Sequence, residues 1–211
     1  MFFVIGLTGG IASGKSTVRE WLANKSCEGL RLHVIDADLL GHEAYAVGSA
    51  CNLKLVEHFG ERIKNEDSTI NRKVLGSIVF ADPAEMLALQ SIVWPEISSL
   101  LSQRISQAKD AAASNTLVVV EAAVLLEAQW HLQLPFNLLM AVVVDPSVAK
   151  QRLMQRNKLS SDDADKRIAS QISNDVRIAQ VNVTIENNGT TEELQGSLEK
   201  VWRDRILSVF D

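Results

Sequence analysis

Near the start of the chain, Gly9-Gly10-Ile11-Ala12-Ser13-Gly14-Lys15-Ser16 satisfies G-x-x-x-x-G-K-[ST], the spacing of a phosphate-binding loop. Each residue type has a physical task. Gly9 and Gly14 permit backbone conformations and close approaches that a Cβ would obstruct. Successive N–H groups then point into one concavity, and the helix that follows presents its positive end to the phosphates. Lys15 can reach the β- and γ-phosphates, the Ser16 hydroxyl can ligate Mg²⁺, and Thr17 continues the first helical turn. A Gly-rich strand-to-helix turn can spell the same string by accident. Here an apolar run precedes it and a helical pattern follows, which is the context the motif demands, so the reading is nucleotide binding. The loop does not name the reaction.

Other residues narrow the chemistry. A GTPase reads its base with N-K-x-D, and Asn157-Lys158-Leu159-Ser160 has Ser160 in place of that Asp. An ABC-type ATPase carries L-S-G-G-Q, which is absent here, and a helicase-like motor would be longer and more basic. A small-molecule kinase using ATP remains. It needs a carboxylate near the accepting hydroxyl and a movable basic lid that shields the transferring phosphoryl group from water.

Val34-Ile35-Asp36-Ala37-Asp38 supplies two carboxylates. If the strand continues, Asp36 and Asp38 point to one side, where one could orient Mg²⁺-bound water and the other take the hydroxyl proton. Asp38 could equally cap a helix beginning at Leu39. His42, four residues after Asp38, would face the same cleft if residues 39–47 are helical. His33, His58 and His131 have no metal-ligand spacing. The expected lid is Lys150 to Arg177, where seven Lys and Arg stand against four Asp, a local +3 in a chain of net −5. Arg152 and Arg156 share a helical face, and each guanidinium could grip phosphate oxygens bidentately, with Arg156 the expected clamp. A solvated helical face is the alternative for any one of them.

These groups need a scaffold. A length of 211 residues with 46% hydrophobic content suggests one domain with insertions and ample core material. Lys and Arg number 21 against 26 Asp and Glu, which gives no global drive toward nucleic acid or anionic membrane. Any polyanion must be held by a local arrangement of residues. Cys27 and Cys51 make no disulfide framework. The first seven residues lack a basic n-region, and the longest apolar tract, Leu117 to Ala128, is interrupted by Glu121 and Glu127 and is too short to span a bilayer. A cytoplasmic monomer with no membrane span and no nucleic-acid partner is expected.

Runs rich in β-branched residues, Phe2–Leu7, Leu32–Ile35, Leu117–Val120, Leu139–Val144 and Val181–Ile185, read as five strands. The first, third and fourth are apolar at nearly every position, as strands buried on both faces of a parallel sheet should be. Helical patterns alternate with them, including a single helix over Asp162–Asn174 and one over Glu192–Val209 that opens on a Thr190/Glu193 capping box. The expectation is a three-layer α/β core with a five-stranded parallel sheet. Roughly eighty residues separate the second strand from the third, far more than one crossover helix needs. The core is therefore assigned to 1–38, 114–149 and 181–211, a helical insertion to 39–113 and the lid to 150–180.

From end to end the chain resembles the dephospho-CoA kinase family, in its eukaryotic wording. The opening Gly6-Leu7-Thr8-Gly9 through Thr17 follows that family's extended loop, with Ala12 where Gly is usual. Ile35-Asp36-Ala37-Asp38, Gly41-His42-Glu43-Ala44-Tyr45, Ile70-Asn71-Arg72-Lys73 and Trp94-Pro95-Glu96-Ile97 continue the match. So do Glu121-Ala122-Ala123-Val124-Leu125-Leu126-Glu127, Arg152-x-x-x-Arg156, Arg167, Gln171, Arg177 and Ile185-x-Asn187-Asn188-Gly189. The resemblance implies ATP- and Mg²⁺-dependent phosphorylation of the ribose 3′-hydroxyl of dephospho-CoA, on a P-loop kinase core with a helical CoA-binding insertion and a lid. It implies Asp38 as catalytic base, Gly9 to Thr17 with Arg152 and Asn187 as nucleotide-binding residues, and Ser16 as metal ligand. Asp36, His42, Arg72, Glu127 and Arg177 are implied on the substrate side. Two departures stand out: Ala12, tolerable if its φ is negative, and Val181-Asn182 in place of the usual Ala-Asp. No H-x-G-H of a fused adenylyltransferase is present, so a monofunctional form is expected.

Overall fold

The computed structural model describes residues 1–25 and 27–210; Ser26 and Asp211, the last residue of the segment assigned to the core, lie outside them. The strands are β1 (Phe2–Gly9), β2 (Leu30–Asp36), β3 (Asn115–Glu121), β4 (Leu138–Val143) and β5 (Val183–Glu186). The helices are α1 (Lys15–Ala23), α2 (Ala37–Ala44), α3 (Ala50–Phe59), α4 (Arg72–Ala81), α5 (Pro83–Asp110), α6 (Trp130–Gln133), α7 (Pro146–Asn157), α8 (Ser161–Ala169), α9 (Asn174–Ile178) and α10 (Thr191–Val201). The strands form one sheet in the order β2-β3-β1-β4-β5, with β1 parallel to β3 and β4, and β4 parallel to β5. This is the expected parallel α/β core. The connections place β2 and β3 on one side of β1 and β4 and β5 on the other, so the crevice beyond the carboxyl ends of β1, β3 and β4 is where such a sheet binds its ligand.

The apolar runs explain the centre of the sheet. Ile5 and Leu7 of β1 pack with Leu117, Val119, Met140 and Val142 of its neighbours, all essentially inaccessible to water. Val18 and Leu22 of α1 and Leu194 and Leu198 of α10 cover that face. Each fully buried side chain of this size stabilises the fold by about 1.5–3 kcal/mol relative to exposure. The capping box at the start of α10 is present: Thr190 Oγ1 accepts from the Glu193 N–H at 3.3 Å, and Glu193 Oε2 accepts from the Thr190 N–H at 2.8 Å. Beyond Val201 the expected single helix winds through a π turn, Trp202–Ile206, and a 3₁₀ turn, Leu207–Val209. Trp202 meets Trp21 edge to face at 6.3 Å between centroids.

Asn182, the departure noted before the last strand, donates its N–H to the Leu139 carbonyl at 3.0 Å and accepts from the Leu139 N–H through Oδ1 at 2.8 Å. A carboxylate oxygen could take the same bond, so Asn preserves this contact of β4 with the segment entering β5.

By compactness the chain falls into two units, residues 1–35 with 107 onward, and Asp36–Ser106. The second has its own core, centred on Cys51, Leu55, Phe59, Ile63 and Leu75. Its helices start where short polar residues allow. Ser49 caps α3 through the Asn52 N–H at 3.0 Å, and Asn71 caps α4 through the Val74 N–H at 3.1 Å. Arg104 reaches both carboxylate oxygens of Glu43, at 2.8 and 2.9 Å. Among the described residues no helix is long and apolar enough to cross a membrane.

Candidate active site

The loop after β1 is shaped by its close contacts. A Cβ at Gly9 would lie 2.6 Å from Ser13 Oγ and 2.7 Å from the Val142 carbonyl oxygen, so only Gly fits there. Gly14 sits at φ 90°, and a Cβ on it would run into the Asn187 amide. Asn187 Nδ2 donates to the Ser13 carbonyl at 2.8 Å and braces the loop from the end of β5. Ala12 adopts φ 58°, not the negative value that would make it an easy replacement for Gly. The left-handed region costs a non-Gly residue about 1–2 kcal/mol. The loop therefore holds strain that the resemblance did not announce.

α1 begins at Lys15, directly above this turn. Lys15 Nζ donates to Glu121 Oε1, Ser16 Oγ lies 3.4 Å from the same oxygen, and Arg19 Nη1 lies 2.9 Å from Oε2. The loop's cation and its metal-ligating hydroxyl thus converge on a carboxylate whose side chain is 3% exposed. In the sequence Glu121 shows only as an interruption of an apolar tract and as part of the 121–127 segment. The missed signal was a carboxylate directly after the apolar run Leu117–Val120, beside the strand that carries the loop.

On one side of the loop, a cavity of about 580 Å³ is lined by Ala12, Thr17, Arg152, Arg156, Asn187 and Gly189. With Gly14, five of the residues expected to bind nucleotide therefore share one wall system. Arg152 fixes its geometry: Nη2 donates to the Asn187 carbonyl at 2.9 Å and Nη1 to the Ala12 carbonyl at 3.4 Å. Arg156 is exposed and donates through Nε to Asn157 Oδ1 at 2.9 Å.

On the other side, a cavity of about 660 Å³ is lined by Gly10, Ile11, Gln171, Arg177, Glu186 and Asn188, among others. The single helix expected over Asp162–Asn174 is two. Ser170 ends α8, and Ser173 Oγ accepts from the Val176 N–H at 3.2 Å to start α9. Ser and Asn offer the backbone these local bonds in competition with a continuous helix. The break turns Gln171 and Arg177 toward the loop. Gln171 Oε1 accepts from the Ile11 N–H at 2.7 Å, and Arg177, 1% exposed, donates through Nη1 to the Ile172 carbonyl at 3.2 Å. Glu127 Oε1 stands 3.6 Å from Arg177 Nη2.

In the unit Asp36–Ser106, α2 starts at Ala37 rather than Leu39. Asp36 Oδ1 accepts from the N–H groups of Asp38 at 3.0 Å and Leu39 at 3.3 Å, so Asp36 is the cap and Asp38 lies in the first helical turn. The strand does not extend to residue 38, and the two carboxylates do not share one side of it. Asp38-Leu39-Leu40-Gly41 spells D-x-x-G, yet it is wound into α2 instead of forming a switch loop. Asp38 and His42 are one turn apart on that helix. Arg72 Nη1 donates to His42 Nε2, which requires a bare lone pair on that nitrogen. A cavity of about 520 Å³ is lined by His42, Tyr45, Asn65, Asn71, Arg72 and Lys73. Burial pushes the Tyr45 hydroxyl above its ordinary pKa, against the pull of Arg72, so it stays a neutral donor. Burial likewise pushes the Cys51 thiol up to about 11, which makes it a packing residue rather than a nucleophile.

A family model described as dephospho-CoA kinase matches residues 3–193. A dephospho-CoA kinase from Geobacter sulfurreducens is 39% identical over 203 residues, covering 96% of this chain and 98% of that protein. The crystal structure of a Thermus thermophilus protein superposes with a TM-score of 0.74 at 26% identity, covering 96% and 97% of the two chains. A dephospho-CoA kinase from Campylobacter jejuni shares the fold, with a TM-score of 0.67 at 24% identity over 99% of this chain and 100% of that one.

Proposed function

The chain belongs to the dephospho-CoA kinase family, an ATP-dependent phosphotransferase acting on dephospho-CoA, and we propose how its own residues divide that work. The carrying observation is the convergence of Lys15, Ser16 and Glu121 at the mouth of the strained loop. Loop amides and the positive end of α1 receive the β- and γ-phosphates of ATP, and Lys15 leaves Glu121 to neutralise them. The cavity with Thr17, Arg152, Arg156 and Asn187 takes the nucleoside end, and Arg156, mobile on the lid at 150–180, clamps phosphate oxygens. The family's reaction calls for Mg²⁺, and the donors fit it. Ser16 Oγ can ligate directly while the Glu121 carboxylate receives coordinated water, with most ligands left to phosphate and solvent as Mg²⁺ prefers. When bound, the ion neutralises charge on the transferring group.

The acceptor belongs to the insertion, assigned to residues 39–113. Asp38 takes the proton of the ribose 3′-hydroxyl, and Asp36 holds the turn that presents it. Arg72, Lys73 and His42 line a cationic pocket suited to the phosphates of dephospho-CoA. The enzyme works as a cytoplasmic monomer with no nucleic-acid partner.

The experiment is ADP release from Mg·ATP with dephospho-CoA, AMP, CMP or no acceptor. A signal confined to dephospho-CoA is expected. Equal turnover with AMP or CMP would make the enzyme a nucleoside monophosphate kinase, and release independent of any acceptor would point to a nucleotide-regulated binding protein.

A further inference from the structure

Arg177 is held in an unusual state. Its guanidinium is fully buried, yet Nε and Nη2 have no hydrogen-bond partner among the described residues, and neither does the buried Oε2 of Glu127. Glu127 Oε1 is near enough to Nη2, at 3.6 Å, to pair charge but not to form a hydrogen bond. Burial lowers the Arg177 pKa and the Glu127 carboxylate opposes the drop. Leaving such groups unpaired is costly, and buried polar atoms without partners demand a reason.

The location supplies one. A Cβ on Gly10 would be 3.5 Å from Arg177 Nη1 and 3.7 Å from Gln171 Oε1, so the guanidinium packs directly on the phosphate loop. The neighbouring Ile11 N–H is taken by the Gln171 amide oxygen, a neutral stand-in for an anionic oxygen. Arg177 lines the cavity beside the loop, and its two unpartnered donors have the fork geometry that binds two oxygens of one planar anionic group. A merely structural Arg at this depth would have those donors satisfied.

Resting on the kinase reading above, we propose that Arg177 is a catalytic residue of the transfer step, its Nε and Nη2 edge closing on the equatorial oxygens of the phosphoryl group in flight. Glu127, whose Oε1 lies 3.6 Å from Nη2, is its positioning residue. In the step itself, the bond from the γ-phosphorus to the β–γ bridging oxygen breaks to leave ADP. A bond forms from the 3′-oxygen to phosphorus, and the hydroxyl proton passes to Asp38. Arg177 forms no covalent bond; it compensates charge that is spread over the oxygens only as the group transfers.

Arg177→Lys and Glu127→Gln in the full chain test this. Arg177→Lys keeps the charge but loses the fork, and kcat is expected to fall about 10²–10³-fold with KM for ATP and dephospho-CoA held within about threefold. Glu127→Gln is expected to lower kcat about tenfold, again with KM held. Millimolar guanidinium should restore part of the kcat of Arg177→Ala without accelerating the wild type. If the Arg177 variants fail to fold by thermal melting, the split between KM and kcat in Glu127→Gln decides. A raised KM for dephospho-CoA with unchanged kcat would make the pair a ground-state anchor and overturn the proposal, as would unaltered kinetics. A wild-type enzyme inactive toward dephospho-CoA would instead sink the kinase reading itself.

Discussion

Lys15→Ala is expected to lose turnover by at least about 10³-fold, because the loop then presents only neutral amides where the β- and γ-phosphates accumulate charge in the transition state. The loss should survive saturation with ATP, since the missing interaction strengthens during transfer rather than on binding. Stability moves in a second way. Lys15 is paired to Glu121, whose side chain is 3% exposed, and removing one partner of a buried pair can cost about 3–5 kcal/mol. Here Arg19 Nη1 remains 2.9 Å from the other oxygen, so the charge keeps a partner and the variant should still fold, with a lowered Tm. Circular dichroism and a thermal melt separate a folded, inactive enzyme from an unfolded one. A folded Lys15→Ala enzyme with ordinary turnover would contradict the loop's assignment.

Asp38→Asn should reduce kcat about 10²–10⁴-fold with little change in ATP affinity, because the amide cannot accept the hydroxyl proton. The substitution is nearly isosteric. Asp38 also lies in the first turn of α2, where a negative charge favours the helix by about 0.3–1 kcal/mol, so only a small drop in Tm accompanies the kinetic loss. Asp36→Asn is the informative companion. Asn also caps helices well, so the two hydrogen bonds from Asp38 N–H and Leu39 N–H can persist and stability should hardly change. Stopped-flow or coupled ADP assays on both variants assign the proton. Turnover retained in Asp38→Asn and lost in Asp36→Asn would transfer the base role to Asp36.

The parts of the molecule that the sequence made legible share one property: their signal was local. β4 and the central stretches of β1 and β3, Phe2–Leu7 and Leu117–Val120, are apolar at nearly every position, as strands covered on both faces are. The capping box at Thr190 and the turn into α1 are set by residues within a few positions of each other. Where two local signals competed, boundaries shifted. Asp36 and Asp38 can each cap a helix, and the choice of Asp36 moved the start of α2 by two residues. Ser170 and Ser173 broke a helix that its charge pattern made continuous.

The site was harder to read because its contacts join distant positions. Glu121 acquires meaning only when β3 lies beside β1 and brings it to Lys15 and Ser16. Arg177 is implied on the substrate side by the resemblance, but its burial is not legible in a run of mixed charge; it follows from the break before α9 and the pairing of β4 with β5. The strain at Ala12 was hidden for a related reason. A side chain's size is visible in a sequence, but the sign of φ is set by bonds such as Arg152 Nη1 to the Ala12 carbonyl, 140 residues away. Net charge is the weaker clue and its distribution the better one: −5 overall coexists with +3 over Lys150–Arg177, a segment whose last residue, Arg177, is buried beside the loop.

Delivery of the γ-phosphoryl group of ATP to the ribose 3′-hydroxyl of dephospho-CoA is read out by phosphorus-31 NMR of the product with proton coupling retained. One new phosphomonoester resonance coupled to the ribose H3′ is expected, with an unchanged diphosphate pair and one ADP formed per product. A new phosphate coupled to H2′, an altered diphosphate signal, or ADP formed without a phosphorylated product would contradict it.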